Sequence, residues 1–326
     1  MKLPFILLAT LTITQPLSIS VYAAENFADS PSQDLTRLNF YPHPGRLSLA
    51  PDVQYVPIDT SNSTTGTNPG NTTATQLTQF DLNVAYGLPL DGLRFGIAET
   101  WETHRWTDTT HATTGAISQT DSSGLSDPTF QLQYRFINAP AMGFSGDVNL
   151  IVSPSWTTHT VAVTTQEGND GRGFGTTSLT GALYWIFPMN DVELNATLTR
   201  DFSGNGVNPV TPDSSYDRDS VLLLTMTAYD RFHLTQDFYL QGSLAFDLPY
   251  SYNQTNQAVT PVTTSFQYPF HINPSAVLGY RICENFVMDF TYGYQNYTTT
   301  SVPATPPNTT TLTKESTLTL RARFEI

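Results

Sequence analysis

The sequence predicts an all-β fold: a transmembrane up-and-down antiparallel β-barrel of about twelve strands, of the kind found in Gram-negative outer membranes. Three observations predict it. Apolar and polar side chains alternate with a period of two along nearly the whole chain, and no heptad or 3.6-residue stripe competes with them. The connections between the alternating segments are short and long by turns. Aromatic residues gather at both ends of the segments, as they do at headgroup depth in membrane barrels.

The chain opens MKLPFILLATLTITQPLSISVYAAENF, with Lys2 before an apolar stretch from Phe5 to Ile13, then Pro16 and an exit at Val21, Tyr22 and Ala23. This layout is that of a secretory signal peptide over residues 1–23. No later stretch approaches the roughly 20 unbroken apolar residues that a membrane helix needs. Residues 24–45 are expected to be either a periplasmic N-terminal lead or a plug tucked into a lumen. The barrel is expected over 46–326.

The first strand, RLSLAPDVQYV (46–56), is weakened by Pro51, which removes a ladder donor. QFDLNVAYG (79–87), LRFGIAETWE (93–102), DPTFQLQYRF (127–136), GFSGDVNLIV (143–152) and SLTGALYWIF (178–187) follow. The second half continues with VELNATLTRDF (192–202), SVLLLTMTAYDRF (220–232), FYLQGSLAFDL (238–248), HINPSAVLGYRI (271–282), FVMDFTYGYQNY (286–297) and TLTLRARFEI (317–326). Residues 220–229 are apolar on both faces, which leaves their register open. Pro269 and Pro274 call for a bulge or a loop reaching down to Phe270.

Short turns fall at 88–92, 137–142, 188–191, 233–237 and 283–285, and long polar connections at about 57–76, 105–123, 153–175, 203–218, 249–265 and 298–310. Both termini then lie on the short-turn side and the strand count is even, as bacterial barrels require. Tyr86, Tyr134, Phe136, Trp185, Phe187, Phe232, Phe238, Tyr280, Phe286 and Phe324 are assigned to the girdle at that side. Trp101, Trp106, Trp156, Phe202, Tyr250, Tyr294 and Tyr297 are assigned to the opposite one. A secreted β-sandwich or β-helix, the alternative, would instead use its aromatics to fill a core.

If the apolar face of each strand meets lipid, the alternate face lines a lumen. Near the short turns that face carries Arg94, Arg135, Asp147, Glu193, Arg281, Asp289, Arg321, Arg323 and Glu325. Arginines and carboxylates at one depth form either an ion-pair network bracing the wall or a constriction that selects permeants by charge. The bracing role weighs more, because side chains commonly fill small barrels. Towards the long loops the inward positions are Asp81, Asn83, Glu102, Thr129, Gln131, Asp201, Gln241 and Asp247, which predicts a neutral to acidic outer mouth.

Composition removes several functions. With 14 Lys+Arg against 28 Asp+Glu and a net charge of -14, the chain lacks the basic face that nucleic acid requires. Cys283 is the single cysteine, so no intrachain disulfide and no thiolate cluster can form. The six histidines, His43, His104, His111, His159, His233 and His271, lie in no G-x-S-x-G or H-E-x-x-H context, so no catalytic residue is assigned. EGNDGRGFG (167–175) offers oxygens beside glycines, but one copy in a loop does not make a calcium site. No cofactor or metal is expected.

One stretch goes beyond generic patterning. GLSDPTFQLQYRF (124–136) resembles the Gly-x-x-Asp-Pro strand opening and aromatic-basic-aromatic end of the outer-membrane channel family named for the MetA pathway of phenol degradation. The resemblance implies passage of small, hydrophobic or aromatic compounds and a distant relation to the long-chain fatty-acid channels. It transfers no binding residues, no hatch domain is evident, and Ile326 stands where an aromatic is usual. The expected function is therefore a passive channel for small solutes. A non-conducting structural or surface-binding barrel is the alternative, and a membrane enzyme is the remote one. Its partners would be outer-membrane lipids, the barrel insertion machinery reading the last strand, and a small-molecule permeant.

Overall fold

The computed structural model of the 326-residue chain describes residues 42–64, 68–90, 92–125, 128–139, 142–154, 159–163, 166–169, 176–187, 192–202, 204–206, 216–256, 261–303 and 308–326. The expected signal peptide and most of the expected lead or plug lie outside these residues. All secondary structure named below is strand, and among the described residues no helix is long and apolar enough to cross a membrane.

The strands form a closed 12-strand antiparallel barrel. In chain order they are β1 (Leu47–Thr64), β2 (Asn68–Gly87), β3 (Leu93–Thr110), β4 (Ile117–Leu125, then Thr129–Ala139), β5 (Phe144–Ser153, then His159–Val163) and β6 (Gln166–Asn169, then Thr176–Phe187). The second half comprises β7 (Val192–Asp201, then Gly204–Gly206), β8 (Tyr216–Arg218, then Val221–His233), β9 (Phe238–Asp247, then Tyr250–Asn256), β10 (Val262–Tyr268, then His271–Cys283), β11 (Phe286–Pro303) and β12 (Thr309–Glu325). Each strand pairs with its sequence neighbour. The barrel closes where β1 pairs with β12 through Leu49↔Phe324, Val53↔Leu320 and Ile58↔Glu315. Closure leaves no free edge, the condition for a sheet to sit in hydrocarbon.

Alternation then sorts the side chains. Phe80, Leu82, Phe95, Ile97, Leu132, Tyr134, Leu183, Trp185, Leu240, Phe290 and Leu320 point outward, each between 37 and 51% exposed. Water would not tolerate so continuous an apolar belt around a soluble protein. The aromatic pairs Phe286–Phe324 (4.3 Å) and Trp185–Phe187 (5.1 Å) stack at its short-turn rim, and Phe238 and Tyr280 meet there at a tilt (5.2 Å). At the tight turn before β5, Gly143 has φ +65°, and an added Cβ would sit 2.1 Å from Ile186 O, so only glycine fits there.

Four of the predicted long loops are largely strand among the described residues. β1 runs on to Thr64, β3 to Thr110, β9 to Asn256 and β11 to Pro303, so the described parts of 57–76, 105–123, 249–265 and 298–310 extend the wall. Threonine is polar but β-branched, and it suits a solvated sheet. Cross-strand hydroxyl pairs such as Thr73–Thr109 (3.3 Å) and Thr75–Thr107 (3.2 Å) join β2 to β3.

The prolines mark interruptions. The β1–β12 ladder skips Pro51 and Pro57, while their β2 partners Leu82 and Gln76 remain in register. In β10 the chain breaks at Pro269 and Phe270, and pairing with β11 stops between Gln267↔Thr300 and Ser275↔Gly293, the span containing both prolines. Phe270, at that break, is 48% exposed and stacks with Phe246.

Candidate functional site

The inward positions nearest the short turns form a charged belt. Asp147, near the start of β5, lies opposite Arg135 on β4. The guanidinium grips the carboxylate with two hydrogen bonds, Nε–Oδ1 at 2.8 Å and Nη2–Oδ2 at 3.0 Å, and Gln133 Nε2 adds a third at 2.6 Å. Such a bidentate fork fixes both side chains against the wall.

The pattern repeats around the barrel. Arg323 on β12 bonds Asp289 on β11 through Nε at 3.0 Å and through Nη2. Arg321 bonds Asp52 on β1 at 3.1 Å. Gln54 Nε2 donates to Asp52 at 2.8 Å and to Asp81 at 2.7 Å, so it bridges two neighbouring carboxylates. Glu193 on β7 faces Arg231 on β8 at 3.7 Å, and Arg231 in turn bonds Gln241 (2.7 Å) and lies over the Tyr239 ring.

Of the sequence-predicted site residues, Arg94, Arg135, Asp147, Glu193, Asp289 and Arg323 are buried, while Arg281 and Arg321 are half-buried. The structure brings Arg135 to Asp147 and Arg323 to Asp289. Arg321 pairs with Asp52 and Glu193 with Arg231, two partners outside that set. Sequence reasoning missed both. Asp52 follows Pro51 in the strand the proline obscured, and Arg231 closes the segment that is apolar on both faces. A strict count of alternate residues from Val221 would have placed Arg231 inward.

Nearer the outer mouth two expectations need correcting. Tyr250 and Tyr297 are not girdle residues: they turn inward and belong with Val221, Tyr252, Phe266 and Tyr268 to an aromatic cluster on β8–β11. Tyr250 and Tyr268 stack at 4.4 Å, and Tyr252 and Phe266 at 5.3 Å. The break after Asp247 shifts the parity of β9, so counting through it assigns the wrong face. A smaller apolar cluster, Val56, Ile58 and Leu77, lines β1 and β2. Trp101 and Phe202 do face outward; Trp156 lies outside the described residues.

At the outer mouth several carboxylates are paired with cations. Glu102 pairs with Arg105, Asp201 with Arg218 (3.9 Å) and Asp247 with His271 (2.9 Å). Gln241 lies with Arg231 in the lower belt instead. Among the described residues no three His, Cys, Asp or Glu side chains are placed to hold a metal. Most of the EGNDGRGFG segment lies outside those residues.

At the short-turn rim the chain preceding β1 docks onto the barrel. Pro42 is fully buried, and His43 bonds Glu325 through its backbone N–H (3.0 Å) and through Nδ1 (2.9 Å). Gly45 donates to Gly87 O at 2.7 Å. A Cβ on Gly87 would lie 2.1 Å from His43 O, so this glycine lets the segment press against the end of β2.

No protein-family model matches the chain, and no curated protein is similar to it. Among solved structures, an outer-membrane channel from Pseudomonas putida F1 aligns with a TM-score of 0.55 at 10% identity, over 88% of this chain and 97% of the channel. The translocator domain of the autotransporter NalP from Neisseria meningitidis gives 0.48 at 7% identity, over 86% and 89%. The toluene transporter TodX of Pseudomonas putida gives 0.43 at 12% identity, over 94% of each chain. The first likeness shows a shared fold and transfers no residue role. With the closed sheet and the lipid-facing belt, it makes this chain a bacterial outer-membrane β-barrel.

Proposed function

We propose that this barrel is a passive channel for small, hydrophobic or aromatic solutes. The observation that carries the reading is the direction of the ion pairs. Arg135–Asp147, Arg231–Glu193, Arg323–Asp289 and Arg321–Asp52 each join adjacent strands. In each of these pairs the arginine is held along the wall, by a carboxylate on the neighbouring strand. Above them two apolar clusters, on β8–β11 and on β1–β2, are part of the inward face, a lining that favours a weakly polar permeant over a hydrated ion.

In this reading Arg94, Arg135, Asp147, Glu193, Arg281, Asp289, Arg321 and Arg323 brace the tight end of the lumen and set its charge. In the same reading residues 24–45 are a plug rather than a periplasmic lead; their last residues, Pro42 to Gly45, dock at the short-turn rim. The barrel reaches the membrane through the insertion machinery, which reads the alternation of β12.

Osmotic swelling of proteoliposomes tests the proposal. Vesicles carrying the barrel should swell in small neutral solutes faster than protein-free vesicles, and faster again when residues 25–45 are removed. Swelling equal to that of empty vesicles in both cases would contradict it.

A further inference from the structure

Between the charged belt and the outer mouth lies a carboxylate without a cation. Glu315 on β12 is 7% exposed, and among the described residues its side chain has one hydrogen bond, from Thr317 Oγ1 at 3.5 Å, and no ion pair. Its partner across the ladder on β11 is Gln295, 5% exposed, whose Oε1 has no hydrogen-bond partner. Its partner on β1 is Ile58, 2% exposed. Tyr297 follows two places beyond Gln295 on the same face, within electrostatic reach of Glu315.

Every other inward carboxylate described above has a cation or an amide donor beside it. A buried carboxylate left without one is costly, and such a group in a native fold calls for an explanation. Here the surroundings supply one. Gln295, Glu315 and Ile58 form a single cross-strand row, with the aromatic cluster of Tyr297 on one flank and Val56 and Leu77 on the other. An apolar lining on both sides of an unpaired acceptor suits a ligand with a ring and a donor. An ammonium fits best, because it neutralises the carboxylate and is attracted to a tyrosine face.

We propose that Glu315, Gln295, Tyr297 and Ile58 form a binding site for a small aromatic solute bearing a hydrogen-bond donor, an ammonium group above all. The inference rests on the channel reading for its biological purpose, since it names the permeant class of that lumen. The binding itself is measurable without any current.

Titration calorimetry of the purified full barrel in detergent, with benzylammonium, benzyl alcohol and toluene as probes, tests it. Benzylammonium should bind most tightly and toluene least. Glu315→Gln, which keeps the shape, should weaken benzylammonium by about tenfold or more and leave toluene unchanged. Tyr297→Leu should weaken all three. Equal affinity for the three probes in the unaltered protein would overturn the site without reliance on any variant, as would Glu315→Gln binding benzylammonium normally. Ordered binding in a barrel that passes no solute would keep the site and remove the channel; solute passage with no such order would do the reverse.

Discussion

At the scale of single residues, a buried arginine and its carboxylate succeed or fail together. Asp147 is 2% exposed and accepts from both Arg135 and Gln133. Asp147→Ala would take the carboxylate away from a buried guanidinium, at a cost of about 3–5 kcal/mol, whereas Arg135→Leu with Asp147→Leu should be nearly neutral. Urea unfolding of the barrel in vesicles measures both, and equal losses for the single and the double variant would contradict the pairing. Much of this belt is legible in sequence because alternation alone sends Arg94, Arg135, Asp147, Glu193, Asp289 and Arg323 inward. The partners are less legible, because a pair depends on the register between strands far apart in the chain. Arg321 and Asp52 are separated by 269 positions and meet only when the barrel closes.

At the scale of the strand, the two faces obey opposite rules one residue apart. Leu320 is 51% exposed to the lipid side, and Arg321 beside it points to Asp52. Leu320→Arg should cost about 2–4 kcal/mol of membrane stability near the midplane. Its check is the yield of the heat-modifiable folded form after refolding into vesicles, and an unchanged yield would place Leu320 off the lipid face. Strand existence is readable because the period of two is strong. Strand ends are not. Thr, Ser and Asn suggest loops by polarity, yet in paired Thr75 and Thr107 they continue the sheet beyond the predicted boundary. Parity fails at irregular points: the register shift near Thr103 and the break after Asp247 each reset which residues face inward, so a count carried through the break puts Tyr250 on the wrong face.

At the scale of the whole molecule, the wall is settled by closure of twelve strands, while its purpose depends on what the lumen admits. The ion pairs Arg135–Asp147, Arg231–Glu193, Arg323–Asp289 and Arg321–Asp52 tie neighbouring strands along the wall, and the segment from Pro42 to Gly45 docks at the short-turn rim. Single-channel recording in planar bilayers, on the purified barrel before and after removal of residues 25–45, tests the channel claim most directly. The account predicts discrete current steps, with larger or more frequent openings in the trimmed protein. A correctly folded barrel that shows no conductance in either form would contradict it.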